Sequence, residues 1–225
     1  MRQLRYIALK LLLLVAAHGG ISSVCSIEPT CLELLRAAAI DGRRVNQNEY
    51  GWNLVDHRDR YVLNDRVLEK ILYGVADPNH PGQFMGGHSP RVLKTSHFHV
   101  SVFLAPEKNG VIRVNARMLL AGDLRSPEFS KYRYVTLAPT GWSDSDIVAA
   151  ICAAAKDRYL IRLTPPARSL HAARVNGVVW AVIKSTNVGG VVVTAFPVAD
   201  EELHLHQLDL RPLAEVTIPL TGTRK

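Results

Sequence analysis

The chain has 225 residues, 48% of them hydrophobic and 21% charged, with a formal net charge of +7. That apolar fraction excludes a disordered chain, and the length suits one sizeable domain or two small ones. The positive excess favours a polyanionic partner: nucleic acid, an acidic membrane surface or an acidic protein.

At the N-terminus Arg2, Arg5 and Lys10 precede the apolar run Leu11 to Ala17, and Gly19, Gly20, Ser22 and Ser23 follow. A basic end, a short apolar core and a small-residue exit make up a secretory signal. Residues 1–26 are therefore expected to be removed at Val24-Cys25-Ser26, giving a secreted or periplasmic protein that begins near Ile27. The run is short for a membrane span, which needs about 20 apolar residues. An uncleaved anchor is the alternative, and no stable membrane insertion is expected once the signal is removed. Cleavage leaves Cys31 and Cys152, either a disulfide or two free buried thiols. No Cys-x-x-Cys or His/Cys cluster suggests zinc, and no cofactor is expected.

Residues 27–63 read as a helical and connecting region. Leu32, Leu34, Leu35 and three alanines predict a short helix from Pro29 to Ala39, and Arg43 to Arg60 shows no clear period. Val67, Leu68, Ile71 and Leu72 then fall at helical spacing, with Asn64 as N-cap and Gly74 as stop. Asp77 to Gly82 is turn chemistry. From His97 the period changes to two, and Lys108-Asn109-Gly110 signals a hairpin into Val111 to Met118. Tyr132 to Leu137 reads as a further strand. Ser143-x-x-Asp146 predicts a capped helix to about Arg158, with Trp142 as its hydrophobic staple. Gly177 to Ile183 and Val191 to Phe196 flank Asn187-Val188-Gly189-Gly190 as a hairpin. Helices first, then mostly antiparallel strands around one central helix, is an α+β chain.

Among the polar residues, His88 follows two glycines, which let a backbone approach a ligand closely. An exposed, mobile histidine near its ordinary pKa is expected there, able to take or give a proton at neutral pH. His97 and His99, and likewise His204 and His206, have a spacing that could bind a metal or a phosphate. No third ligand is evident, and a surface role is preferred for both pairs.

In order, Lys70-Ile71-Leu72-Tyr73-Gly74, Gly86-Gly87-His88, Trp142-Ser143-Asp144 and Thr194-Ala195-Phe196-Pro197 resemble the EndoU family of endoribonucleases, especially its bacterial toxin branch. The family pattern has histidine at Lys70 and tyrosine at Phe196. The resemblance covers about residues 64–199, leaving 200–225 as a C-terminal extension. It implies a helical N-terminal part followed by two packed antiparallel β-sheets. It also implies cleavage of single-stranded RNA, tRNA loops among the candidates, beside a pyrimidine, leaving a 2′,3′-cyclic phosphate, a reaction that in principle requires no metal.

In this resemblance His88 is a catalytic histidine, Thr194 a contact to the base edge and Phe196 its stacking platform. Thr136 matches a Ser/Thr near the catalytic centre, with Arg133 or Lys131 as a nearby cation. Lys70 is then a charge stabiliser or acid, or His80 takes the missing histidine's place, or activity is weakened. Bacterial relatives are often toxins held in check by an immunity protein, so a small inhibitory partner is expected. A catalytically degenerate module that binds RNA or protein, and an unrelated exported basic domain, are the alternatives.

Overall fold

A computed structural model describes residues 29–40, 42–121, 128–164, 166–187, 189–209 and 212–221. The signal-like segment 1–26 lies outside the described residues. Thr30 caps the first described helix, α1 (Cys31–Ala37), in a reciprocal capping box with Glu33. Among the described residues, no helix is long and apolar enough to cross a membrane.

The expected connector is instead a three-stranded antiparallel sheet: β1 (Arg44–Asn48), β2 (Gly51–Asp56) and β3 (Tyr61–Asn64). Its period was hidden because β1 is a polar edge strand exposed at four of its five positions. The second turn is fixed by the Asp56 carboxylate, which accepts from the backbone N–H groups of Arg58 and Asp59. Asn64 then caps α2 (Asp65–Tyr73), accepting from Arg66 N, and Gly74 ends it at φ +79°. Leu68, Ile71 and Leu72 are the buried face of α2.

A two-stranded ribbon, β4 (Val75–Ala76) with β5 (Phe84–Met85), leads to a four-stranded antiparallel sheet. Its long central strand β7 (Ile112–Ala121) pairs on one side with β6 (Phe98–Phe103). On the other it pairs with β9 (Arg133–Leu137) and β8 (Glu128–Phe129). Phe84, Val92, Phe98, Val114, Val135 and Leu137 fill the core under it.

The capped helix α3 (Asp144–Ala154) follows, shorter at its end than the sequence predicts. Trp142 stacks on Trp180 at 6.2 Å and joins Ile147 in the main core. The next sheet has five strands: β10 (Leu160–Thr164), β11 (Arg168–Val175), β12 (Val178–Ser185) and β13 (Val192–Val198), with β14 (Glu215–Val216) parallel to β11. Its β12–β13 pair is the predicted hairpin.

The architecture is thus α+β, with few helices and several antiparallel sheets. One continuous core runs from Leu35, Leu54 and Leu63 through Leu72 and Ile151 to Trp180 and Val192, so residues 29–63 share it with the rest. Each such fully buried side chain contributes about 1.5–3 kcal/mol. The C-terminal segment is also integral: Leu208 is buried on the far face of the five-stranded sheet with Leu170, Val179 and Ala181. Cys31 and Cys152 are free thiols, Cys152 buried. Burial pushes the Cys31 thiol up to about 12, with nearby carboxylates adding to the effect.

Candidate active site

The last carbonyls of a helix lack partners within it. In α2 they are taken by the glycine motif. Lys70 O accepts from Gly74 N at 2.9 Å and Gly87 N at 3.1 Å, Ile71 O from His88 N at 2.8 Å, and Leu72 O from Ser89 N at 3.0 Å. Gly86 has φ +77°, and a Cβ there would fall on the Lys70 carbonyl oxygen. Only glycine permits that approach. From the other side, Ala138 N donates to His88 O at 2.9 Å.

The Trp-Ser-Asp motif anchors the same loop. Asp144, at the start of α3 and buried, accepts from Ser89 Oγ and Tyr73 Oη at 2.6 Å each, and from Arg91 at 2.7 Å. Motifs far apart in sequence therefore meet in one buried polar cluster beneath His88.

His88 is not the exposed, mobile group the sequence suggested. It is held on both sides and only 9% accessible. Its Nδ1 lies 2.7 Å from Thr136 O. A carbonyl only accepts, so Nδ1 carries the proton and Nε2 keeps its lone pair. Burial pulls the His88 pKa down to about 4, and the charges of Arg133 and Lys70 push the same way, against the hydrogen bond to Thr136. The ring is a neutral proton acceptor at pH 7.

His88 lines a cleft of about 320 Å³ between β9 and β13, together with Arg133, Tyr134, Thr136, Thr194 and Phe196. Alternation along β13 turns Thr194 and Phe196 to the same side. The Phe196 ring lies 6.1 Å from the His88 ring and 5.2 Å from that of His206. The expected surface role for His206 is thereby corrected: the 3₁₀ segment Asp200–His206 carries it, half-buried, into the cleft wall with Glu202. Burial lowers the His206 pKa, the Glu202 carboxylate opposes this, and Arg162 adds to it. Arg113, also in the wall, pairs with Glu201 at 2.7 Å and Glu202 at 3.6 Å. Arg133 donates to Phe84 O at 2.6 Å and lies over the Phe84 ring.

The other expected residues stand elsewhere. Lys70 is not among the lining residues, and its ammonium donates to Val193 O at 2.6 Å. Burial lowers its pKa, Arg168 adds to this and Asp77 opposes it. His80 is an exposed turn residue, its Nδ1 3.0 Å from the Asp77 carboxylate, and the fold does not bring it to the cleft. Lys131 is exposed and outside the lining. His97 is exposed, and His99 bonds Tyr132 Oη at 2.8 Å. Among the described residues no group of three or more His, Cys, Asp or Glu is placed to hold a metal ion. No family model matches the chain, and neither does any curated protein or solved structure.

Proposed function

We propose that the chain is an endoribonuclease of the EndoU type, cutting single-stranded RNA beside a pyrimidine by attack of the RNA's own 2′-hydroxyl. The observation that supports this reading is the convergence of His88, Arg133, Thr136, Thr194 and Phe196 on one cleft from three separate stretches of chain. His88 Nε2 accepts the 2′-hydroxyl proton as that oxygen bonds to phosphorus. The bond from phosphorus to the 5′-oxygen breaks, leaving a 2′,3′-cyclic phosphate and, after protonation, a 5′-hydroxyl. His206 is the proton donor to the leaving oxygen. Arg133 and Arg113 counter the charge gathered on the phosphoryl oxygens, and Lys70 adds to the local positive field. Phe196 stacks the base and Thr194 bonds its edge.

Under this reading the protein is an exported toxin, with tRNA loops among its targets and a small immunity protein as its inhibitor. Purified chain incubated with uridine-containing RNA and EDTA should yield fragments ending in a 2′,3′-cyclic phosphate. Intact RNA would remove the active-enzyme reading. A second reading, a degenerate module that binds RNA without cutting it, draws support from the Lys70 ammonium being tied to the Val193 carbonyl. RNA binding that persists in His88→Ala, with no turnover by the parent chain, would favour it.

A further inference from the structure

The four-stranded sheet has a second face, turned away from its core. Thr136 pairs with Arg113, Tyr134 with Asn115 and His99 with Arg117. Directly paired residues share a face. Alternation along β7 sets Arg113, Asn115 and Arg117 against the core side made by Ile112, Val114, Ala116 and Met118. Thr136, Arg113 and Tyr134 also line the cleft, so this face starts there and runs away from it.

Farther along, the Arg117 guanidinium lies 4.3 Å from the Phe129 ring centroid and 5.0 Å from that of Tyr132. Its Nε is buried, with no hydrogen-bond partner among the described residues. Tyr134 is 61% exposed and Tyr132 42%. Among the described residues no carboxylate forms an ion pair with Arg117 or His99. The acids that approach, Glu201 and Glu202, pair with Arg113 at the cleft end.

We propose that this face is a track for the single strand of RNA leaving the cleft, a proposal that rests on the ribonuclease reading. Flanking bases stack on Tyr134 and Tyr132, and a phosphate is drawn to Arg117. Stacking on exposed tyrosines tolerates any base, because every base has a π-face. A guanidinium lying against two rings is a positioned cation for phosphate. From Thr136 to Tyr132 the track spans about 14 Å, at about 3.4 Å per strand residue. The Arg117 cation, set beside separated tyrosines and away from the Arg113 acids, suits a polyanion better than a protein, which would meet a contiguous apolar patch.

The test compares the parent chain, Tyr132→Ala and Arg117→Gln on two probes, a uridylyl dinucleotide and a longer oligouridylate. Tyr132→Phe controls for the hydroxyl contact to His99, and thermal melting controls for folding. Cleavage of the longer probe should fall about tenfold in kcat/KM for each variant, with the dinucleotide unchanged and Tyr132→Phe like the parent. Binding of fluorescent oligouridylate to His88→Ala should weaken by the same factor on adding either substitution. Equal losses on both probes, or no loss on either while RNA is still cut, would overturn the track and leave the face to a protein partner. A parent that binds oligouridylate through this face without cutting it would keep the track and remove the enzyme. A parent that neither binds nor cuts would remove both.

Discussion

Two buried histidines of this chain are prepared alike and end in different situations. His88 and His171 each place Nδ1 on a backbone carbonyl, Thr136 O at 2.7 Å and Lys156 O at 3.1 Å. Burial pulls each pKa down to about 4. The His171 Nε2, however, is bound to Ser169 Oγ at 3.0 Å. Nearby Lys184, 2% exposed, donates to Arg60 O, Ala155 O and Asp157. Ser169 and Lys184 border a larger cavity, about 540 Å³, yet the Lys184 ammonium and both His171 ring nitrogens are already hydrogen-bonded. At His88, which lines the cleft, no described residue bonds the second nitrogen. A serine beside a histidine is thus a weaker sign of chemistry than one imidazole nitrogen without an internal partner.

The comparison breaks most sharply with His88→Ala and His171→Ala. The first should lower kcat on RNA by about 10²–10⁴-fold, the usual contribution of a positioned base, alongside a stability cost of about 1–3 kcal/mol as the Thr136 carbonyl loses its buried partner. The second should leave kcat alone and cost about 1–3 kcal/mol of stability, because Ser169 and the Lys156 carbonyl lose a buried partner. Rates and melting curves on the two purified variants decide it. The reverse pattern would make His171 the chemical group and His88 the structural one.

Gly86→Ala tests how His88 is held. The new methyl group meets the Lys70 carbonyl oxygen, and φ +77° is already unfavourable for alanine. The loop must lift from the end of α2, carrying His88 with it. A displacement of about 1 Å at a catalytic group can cost about 10²-fold in rate, so kcat should fall far more than Tm. Parent-like turnover would show that the hydrogen bonds from this loop to the helix end do not position the base.

What the sequence disclosed follows range. Asn64, Ser143 with Asp146, and the Asn187–Gly190 turn act within a few residues, and the helices and hairpin they predict are present. The β1–β3 sheet and the central strand β11 were missed, the first because β1 is a mostly polar edge strand with Val45 as its one core contact. In the cleft, Thr194 and Phe196 could be paired by alternation alone. His206 and Arg113 could not be placed there, because one lies on a 3₁₀ segment after the last hairpin and the other reaches the cleft only through its pairing with Thr136 on β9. The faint signal for His206 was its neighbourhood of acids, which reads equally well as surface. Nor could the state of His88 be read, since it depends on the end of α2 and on a carbonyl 48 positions away.

Phe196→Ala asks whether the ring between the two cleft imidazoles is a platform for substrate. Losing a stacking partner should weaken RNA binding by about 1–3 kcal/mol, seen mostly in KM. Phe196→Tyr should bind at least as well as the parent chain. If Phe196→Ala lowers Tm by many degrees and leaves KM unchanged, the ring belongs to the core behind β13 and the cleft needs another base contact.

The smallest expected effect is the dependence on pH, where the two histidines act together on stability and separately on rate. Unfolded histidine titrates near 6.5, and each folded one near about 4. Between those values the unfolded chain holds more protons, so the contribution of each is full above pH 6.5 and is lost as pH falls towards 4. Tm should therefore drop on acidification, by about 2–4 °C per kcal/mol lost in a chain of this size. His171→Ala and His88→Ala should each flatten part of that slope. Cleavage, by contrast, should follow only His88 and His206. The base stays competent down to about pH 4, while His206, its pKa below the ordinary histidine value, loses its proton before pH 6.5. The rate should peak on the acid side of 6.5, with His206→Gln removing the alkaline limb and His171→Ala shifting neither. An optimum above pH 7 would exclude His206 as the donor and point to a group with a higher pKa.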